Sequence, residues 1–96
     1  MKKKYEGVIV LDMRGKEEAI DDMISGIGRE IEETGAKLEQ IDQLGKKEFA
    51  YNARHMAEGF YVNYMFEAAA GELNEVREKL KANDQVVMQH YQKLKV

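Results

Sequence analysis

The 96-residue sequence contains no cysteine, no proline and no tryptophan, and it has only two histidines. The absence of cysteine excludes a disulfide framework, a thiolate metal site and a cysteine nucleophile, and it suits a reducing cytosol. Long apolar runs are also absent. The stretch from Val8 to Leu11 is too short for the hydrophobic region of a signal peptide and far too short to cross a bilayer. The sequence therefore predicts a cytoplasmic protein that does not enter a membrane.

An excess of positive charge is missing as well, since the formal net charge is -3. Binding nucleic acid by overall charge needs many Lys and Arg on one surface, so any RNA binding must rest on local patches. We expect these patches to form one small cationic corner of the protein. The candidate residues are Lys2, Lys3, Lys4, Lys46, Lys47 and Arg54.

Motifs for catalysis or cofactor binding are weak throughout the chain. His55 and His90 lack the helical spacing of metal ligands, and Ser25, the only serine, has no nucleophile turn around it. Gly26-Ile27-Gly28 begins like a dinucleotide loop, but it lies inside a helical pattern and the third glycine is missing. We therefore expect no enzyme activity, no cofactor, no metal and no small-molecule substrate.

Hydrophobic periodicity predicts six elements in the order strand, helix, strand, strand, helix, strand. The predicted strands run from Tyr5 to Leu11, from Ala36 to Tyr51, from Phe60 to Glu67 and from Val86 to Gln92. The first predicted helix carries a stripe of Ile20, Ile24, Ile27 and Ile31, with Glu17 and Glu18 at its positive end, and stops at Gly35; the second runs from about Gly71 to Lys81.

Some positions carry finer predictions. Uneven apolar spacing in the second strand indicates a bulge or a bend, with Gly45 as the expected site. Residues 52–59 are polar and are expected to form a turn between two long strands. Gly26 and Gly28 each cost about 1 kcal/mol relative to alanine inside a helix, and a close approach of that helix to the sheet is the expected reason.

The element order predicts an α+β fold of the ferredoxin-like βαββαβ type, with residues 1–96 as a single domain. Two helices would cover one face of a four-stranded antiparallel sheet and leave the other face open. The long second strand would lie at an edge, where it could receive another chain by strand addition.

Two known protein families share this order of elements. Acylphosphatases place a glycine-rich phosphate loop with an arginine after the first strand, but here Leu11-Asp12-Met13-Arg14-Gly15 offers Arg14 alone. RNA-recognition motifs place aromatic residues on the open face of the third strand. In this sequence Phe60, Tyr64 and Phe66 share the apolar register, which is typical of a core, and only Tyr61 is placed to stack on a base.

The segment Gly45-Lys46-Lys47-Glu48-Phe49-Ala50-Tyr51-Asn52-Ala53-Arg54 joins a basic, aromatic stretch to a turn, and it resembles the signature of the bacterial small-subunit ribosomal protein six family. The resemblance covers nearly the whole chain. It extends over Tyr5-Glu6, Gly35-Ala36-Lys37, Ile41, Leu44, Tyr61-Val62, Glu67-Ala68, Leu80 and Asn83-Asp84-Gln85-Val86.

The resemblance implies a non-catalytic protein of the bacterial 30S subunit. Such a protein would bind the central domain of 16S rRNA together with ribosomal protein eighteen, its heterodimer partner. An RNA-binding or protein-binding module outside the ribosome is the alternative. Carried onto this chain, the implied RNA-binding residues are Lys2, Lys3, Lys4, Tyr5, Lys46, Lys47, Tyr51 and Arg54.

The chain departs from the family pattern in a few places. Phe49 and Ala53 differ from the signature, and Asn52 and Ala69 or Ala70 stand where the family usually has proline. The segment Val86-Val87-Met88-Gln89-His90 also lacks the arginine that the family tends to carry there. The resemblance therefore does not carry the family's phosphate or partner contacts over to the last strand, and whether this strand serves RNA or partner binding stays open.

Overall fold

The computed structural model has six elements in the predicted order. It describes residues 2–12, 19–52 and 55–94; for residues 47–52 and 55–58 it describes only the backbone. The strands are β1 (Lys3–Leu11), β2 (Lys37–Asn52), β3 (His55–Ala68) and β4 (Val86–Lys93), and the helices are α1 (Ile20–Glu33) and α2 (Ala70–Lys81). The predicted acidic residues Glu17 and Glu18 lie outside the described residues.

The sheet has the strand order β2-β3-β1-β4, with every neighbouring pair antiparallel. This is the predicted ferredoxin-like arrangement, and it places β2 at one edge and β4 at the other. Alternate residues of a strand point to opposite faces. In β1, Ile9 and Leu11 point toward the helices and are fully buried, whereas Lys4 lies on the opposite face and is exposed.

The core lies between one face of the sheet and the apolar sides of both helices. The predicted α1 stripe supplies Ile24, Ile27 and Ile31, and α2 supplies Val76 and Leu80. Burying an aliphatic side chain of this size contributes about 1.5–3 kcal/mol. Because both helices share this core, the opposite face of the sheet stays uncovered by them.

Backbone conformation explains where α1 ends and where β2 bends. Gly35 follows the last turn of α1 at φ +97°, and the Thr34 hydroxyl donates to the Ile31 carbonyl at 2.6 Å. Gly45, the predicted bulge site, has φ +96° and stands where the β2–β3 register shifts. Positive φ favours glycine at both positions because it has no Cβ.

Two sequence-based predictions are wrong. Residues 55–59, predicted as part of a turn, belong to β3, because the backbone pairs Asn52 with His55 and Lys47 with Gly59 across a long hairpin. Gly28 does lie close to the sheet, since an added Cβ would come within 3.2 Å of Leu38 Cδ2. Gly26 does not lie close to the sheet, because a Cβ added to Gly26 would have no atom within 4 Å.

Candidate nucleic-acid interface

The predicted cations lie at two opposite ends of the sheet. Lys4 at the start of β1 pairs with Glu67, whereas Lys46 pairs with Phe60, which is also the partner of Leu11 at the end of β1. The two levels are seven β3 residues apart, which is about 23 Å at about 3.3 Å per residue. The expectation of a single cationic corner is therefore wrong.

The β2 end carries the second group of predicted residues. Lys46 is exposed, and Lys47 and Tyr51 belong to the backbone of β2. Arg54 lies outside the described residues. Lys46 and Lys47 are consecutive in the backbone of the edge strand, at the end of the sheet where β2 and β3 run on past β1.

At the β1 end, two of the three lysines interact with carboxylates. Lys2 Nζ donates to the Gly35 carbonyl at 2.9 Å and lies 3.7 Å from Glu72 Oε1, and Lys4 Nζ lies 3.7 Å from Glu39 Oε1. Exposed pairs of this kind contribute about 0–1 kcal/mol to stability. They also lower the positive charge that Lys2 and Lys4 present to a polyanion.

Lys3 differs from its neighbours because its close partner is another lysine. The Lys3 ammonium contacts the Lys93 side chain and lowers the pKa of Lys93, as expected for like charges held side by side. Within the described part of the chain, neither ammonium forms an ion pair with a carboxylate. This end of the sheet therefore has two adjacent uncompensated cations, of which the sequence predicted only Lys3 as a site residue.

The aromatic residues pack mainly in the core. Tyr5 is half-buried, and its ring centroid lies 6.0 Å from that of Phe66. Tyr64 and Phe66 are fully buried, as their apolar register indicated, and the Tyr64 hydroxyl donates to the Ile24 carbonyl at 2.8 Å. Burial raises the pKa of Tyr64 well above its usual range. Tyr61, which is half-buried, has the opposite register in β3.

The face of the sheet away from the helices is not a basic surface. It carries Glu6 and Glu67 beside Lys4, and Asn63 Nδ2 donates to Glu6 Oε2 at 3.4 Å. Asp42 pairs with Asn63 on the same face and accepts hydrogen bonds from Gln40 Nε2. These carboxylates offset Lys4 and Lys37, two exposed lysines of the same face, so this face as a whole is a poor platform for RNA.

A basic groove that the sequence analysis missed lies between α2 and β4, and we call it the α2–β4 groove. It is lined by Arg77, Glu78, Lys81, Gln89, His90 and Tyr91. The Arg77 guanidinium carbon lies 5.4 Å from the Tyr91 ring centroid. Burial raises the pKa of Tyr91 far above its usual range, and nearby Arg77 partly opposes the shift. The sequence signal was the i, i+4 spacing of Arg77 and Lys81.

The other side of α2 has the opposite charge. A cleft between α1 and α2, the α1–α2 cleft, is lined by Glu30, Glu33, Lys79, Ala82, Asn83 and Asp84. Lys79 Nζ lies 3.3 Å from Glu33 Oε2, and Asn83 Nδ2 donates to Glu30 Oε1 at 3.0 Å. Cations on the two flanks of one helix therefore meet different surroundings: Lys79 faces carboxylates, whereas Arg77 and Lys81 line a basic groove.

The described residues offer little for other chemistry. Among them no three His, Asp or Glu side chains are grouped to hold a metal ion. No helix in the described ranges is long and apolar enough to span a membrane. Asp12 donates its backbone N–H to the Gln85 carbonyl at 2.8 Å, and Arg14, which carried the acylphosphatase alternative, lies outside the described residues.

Comparison with known proteins identifies the family. The model of the family described as ribosomal protein S6 matches residues 4–91. The small ribosomal subunit protein bS6 of Akkermansia muciniphila is 35% identical over 92 residues, covering 96% of this chain and 98% of that protein. The protein of the same name from Carboxydothermus hydrogenoformans is 32% identical over 87 residues, with 91% of each chain covered.

Solved structures agree on the fold. The crystal structure of 30S ribosomal protein S6 from Thermotoga maritima superposes with a TM-score of 0.83 at 19% identity, covering 98% of this chain and 89% of that one. The C-terminal domain of the MgtC protein from Mycobacterium tuberculosis also matches, with a TM-score of 0.65 at 9% identity, covering 96% of this chain and 87% of that one. Since unrelated proteins share the fold, the sequence matches decide the family, and this chain belongs to the ribosomal protein S6 family of the small ribosomal subunit.

Proposed function

We propose that this protein is a structural constituent of the bacterial 30S subunit that binds the central domain of 16S rRNA together with ribosomal protein eighteen. The observation that carries the proposal is the family match, which extends over residues 4–91. The protein acts by folding and docking, and it catalyses no reaction. Its role is to hold an RNA segment and a partner protein in a fixed relative position.

RNA contact in this proposal is divided between the two ends of the sheet. At one end Lys3 makes the main proposed contact, assisted by Lys2, Lys4 and Tyr5. At the other end Lys46 and Lys47 make the main proposed contacts, assisted by Tyr51 and Arg54. A separation of about 23 Å lets one small protein contact two parts of a folded RNA. With a net charge of -3, such contacts position the protein locally and do not attract RNA to the whole surface.

The edge strand β2 is the proposed docking surface for ribosomal protein eighteen. Among the described residues no strand pairs with its outer side, so its backbone groups can pair with another chain. Two large apolar side chains of this strand, Ile41 at 37% and Leu44 at 43% exposure, lie open to solvent. A partner that covers them gains the free energy of apolar burial in addition to any backbone hydrogen bonds.

The test is equilibrium binding to a central-domain rRNA fragment, with and without ribosomal protein eighteen, over a series of salt concentrations. We expect tight binding that needs the partner and weakens as salt rises, because phosphate contacts release counterions. If no specific binding is found even with the partner present, the proposed function is wrong.

Charge reversal tests whether the β2 end contacts RNA, and binding of ribosomal protein eighteen without RNA is measured for the same variants because β2 is also the proposed docking strand. The double variant Lys46→Glu, Lys47→Glu replaces two attractive charges by two repulsive ones, so rRNA affinity should fall at least tenfold. Arg29→Glu, an exposed α1 position, is the control for charge reversal and should stay near wild type. If the double variant binds rRNA like the control, the β2 end does not contact RNA. If only binding to a protein partner can be measured, the protein is a protein-binding module of the same fold.

A further inference from the structure

We propose that the α2–β4 groove is a further RNA-binding surface, on which Arg77, Lys81 and Lys93 hold successive phosphates of one RNA strand. The inference rests on the proposed function, because it assumes that the protein binds RNA. It adds residues that neither the sequence signature nor the predicted basic ends contain. It also places a contact on the edge strand β4, on the far side of the sheet from β2.

Arg77 and Lys81, which line the groove, form a row with Lys93, which lies beyond Tyr91 on β4. Helix α2 and strand β4 run in opposite directions, and Gln89 Nε2 donates to the Arg77 carbonyl at 3.2 Å, which fixes their alignment. Lys93 is two residues beyond Tyr91 on the same side of β4, about 7 Å along the strand. Lys81 is one helical turn beyond Arg77, about 6 Å along the helix axis. Steps of this size resemble the distance between successive phosphates of an RNA strand.

Arg77 occupies a fixed position at the centre of the row. Its guanidinium lies over Tyr91, whose hydroxyl donates to Gln89 Oε1 at 2.5 Å and whose ring meets Phe66 edge-on at 6.3 Å. Beneath the ring lies Gly7, where an added Cβ would come within 2.7 Å of Tyr91 Cε1. A guanidinium stacked on an aromatic ring keeps N–H donors at its edge, and these suit the paired oxygens of a phosphate.

The charges around the row favour an anionic ligand. Among the described residues Arg77 and Lys81 form no ion pair, and Glu78 is the one acidic residue lining the groove. At the β1 end of the groove Lys93 contacts Lys3, which adds a further positive charge. The groove lining therefore holds two cations and one carboxylate, and Lys93 and Lys3 add positive charge beyond its end, on a protein whose net charge is negative.

A nucleic-acid strand fits this groove better than an acidic peptide does. Every residue that lines the groove carries a polar or charged group, and its apolar surface comes from side-chain stems and from the Tyr91 ring, which Arg77 already covers. A docked peptide obtains much of its affinity from apolar side chains in pockets, whereas an RNA backbone needs only evenly spaced cations. We therefore assign the groove to the sugar–phosphate backbone.

The test compares three charge-removing variants of α2 in the same assay, rRNA-fragment binding with ribosomal protein eighteen present. Arg77→Gln and Lys81→Gln each remove one groove cation. Lys79→Gln removes a cation two positions away that faces Glu33 across the α1–α2 cleft, and it is the matched control. Each groove variant should reduce the slope of log K against log salt by about 1 and weaken binding by about 5- to 10-fold at physiological salt. The control should keep the wild-type slope.

The outcomes distinguish this inference from the proposed function. If wild-type protein binds no rRNA, the proposed function fails and the groove inference fails with it. If wild type binds but Arg77→Gln and Lys81→Gln keep its slope and affinity, only the groove inference is overturned. If either variant weakens the binding of ribosomal protein eighteen without RNA, the groove contacts protein, and the inference is overturned too. Urea unfolding of each variant checks that it is folded.

Discussion

Two glycines in one helix should respond in opposite ways to the same substitution. Gly26 and Gly28 both lie inside α1, where alanine is favoured over glycine by about 1 kcal/mol. At Gly26 an added Cβ meets nothing within 4 Å, so Gly26→Ala should stabilise the protein by about 1 kcal/mol. For a domain of this size that corresponds to about 4–8 °C in Tm.

At Gly28 the same methyl group meets the sheet. Its Cβ would lie 3.2 Å from Leu38 Cδ2 and 3.7 Å from Ile41 Cδ1, so Leu38 or the helix must move. Overpacking typically costs about 1–3 kcal/mol, which offsets the gain in helix propensity. Gly28→Ala should therefore change stability by about 0 to 2 kcal/mol in the unfavourable direction.

Urea unfolding followed by circular dichroism measures both variants against wild type, with the m value as a check that two-state unfolding is preserved. The midpoint should rise for Gly26→Ala, and it should stay or fall for Gly28→Ala. The reasoning is refuted if Gly28→Ala is as stable as Gly26→Ala, or if Gly26→Ala unfolds at lower urea than wild type.

Two further predictions concern Tyr64, which is fully buried, and Tyr91, which is half-buried. Burial raises the folded-state pKa of Tyr64 and Tyr91, whereas an unfolded tyrosine titrates near about 10. The folded chain therefore holds these protons above pH 10 while the unfolded chain releases them, so stability should fall as pH rises beyond 10. Tyr64→Phe should make stability fall less steeply with pH above 10, and it should cost about 1 kcal/mol near pH 7 because the hydrogen bond to the Ile24 carbonyl is lost. Urea midpoints at a series of pH values measure both effects. If stability falls with pH as steeply as in wild type, the raised pKa of Tyr64 is contradicted. Gly7→Ala should destabilise the protein by about 1–3 kcal/mol because its Cβ overlaps the Tyr91 ring, and wild-type stability in urea would contradict that contact.

The sequence predicted the fold well where local signals and packing agree. Alternation from Phe60 to Glu67 and the isoleucine stripe of α1 each correspond to one buried face, so these elements were identified correctly. Uneven apolar spacing predicted an irregularity at Gly45, where the structure has a positive φ and a shift in the β2–β3 register. Residues 55–59 were missed because a polar strand is held by cross-strand backbone hydrogen bonds, and no local pattern reveals them.

The candidate site was harder to predict because it depends on distance in space. The lysines at the start of β1 and those in β2 looked like one group, but only the strand register shows that opposite ends of the sheet hold them. The stack of Arg77 on Tyr91 joins residues from two elements, so neither local pattern reveals it. Lys79 and Lys81 look alike in the sequence, yet they face carboxylates and a basic groove, respectively.

The contrast between the two flanks of α2 gives the molecule an electrical polarity. Glu30, Glu33 and Asp84 line one flank, and Arg77 and Lys81 line the other. In the field of a polyanion this arrangement produces a torque that turns the basic flank inward during approach, within a screening length of about 8–10 Å. The field of the polyanion repels the net negative charge of the chain, but it also orients the chain through the unequal charges of the two flanks. A chain that is negative overall can thus be oriented before it touches a polyanion.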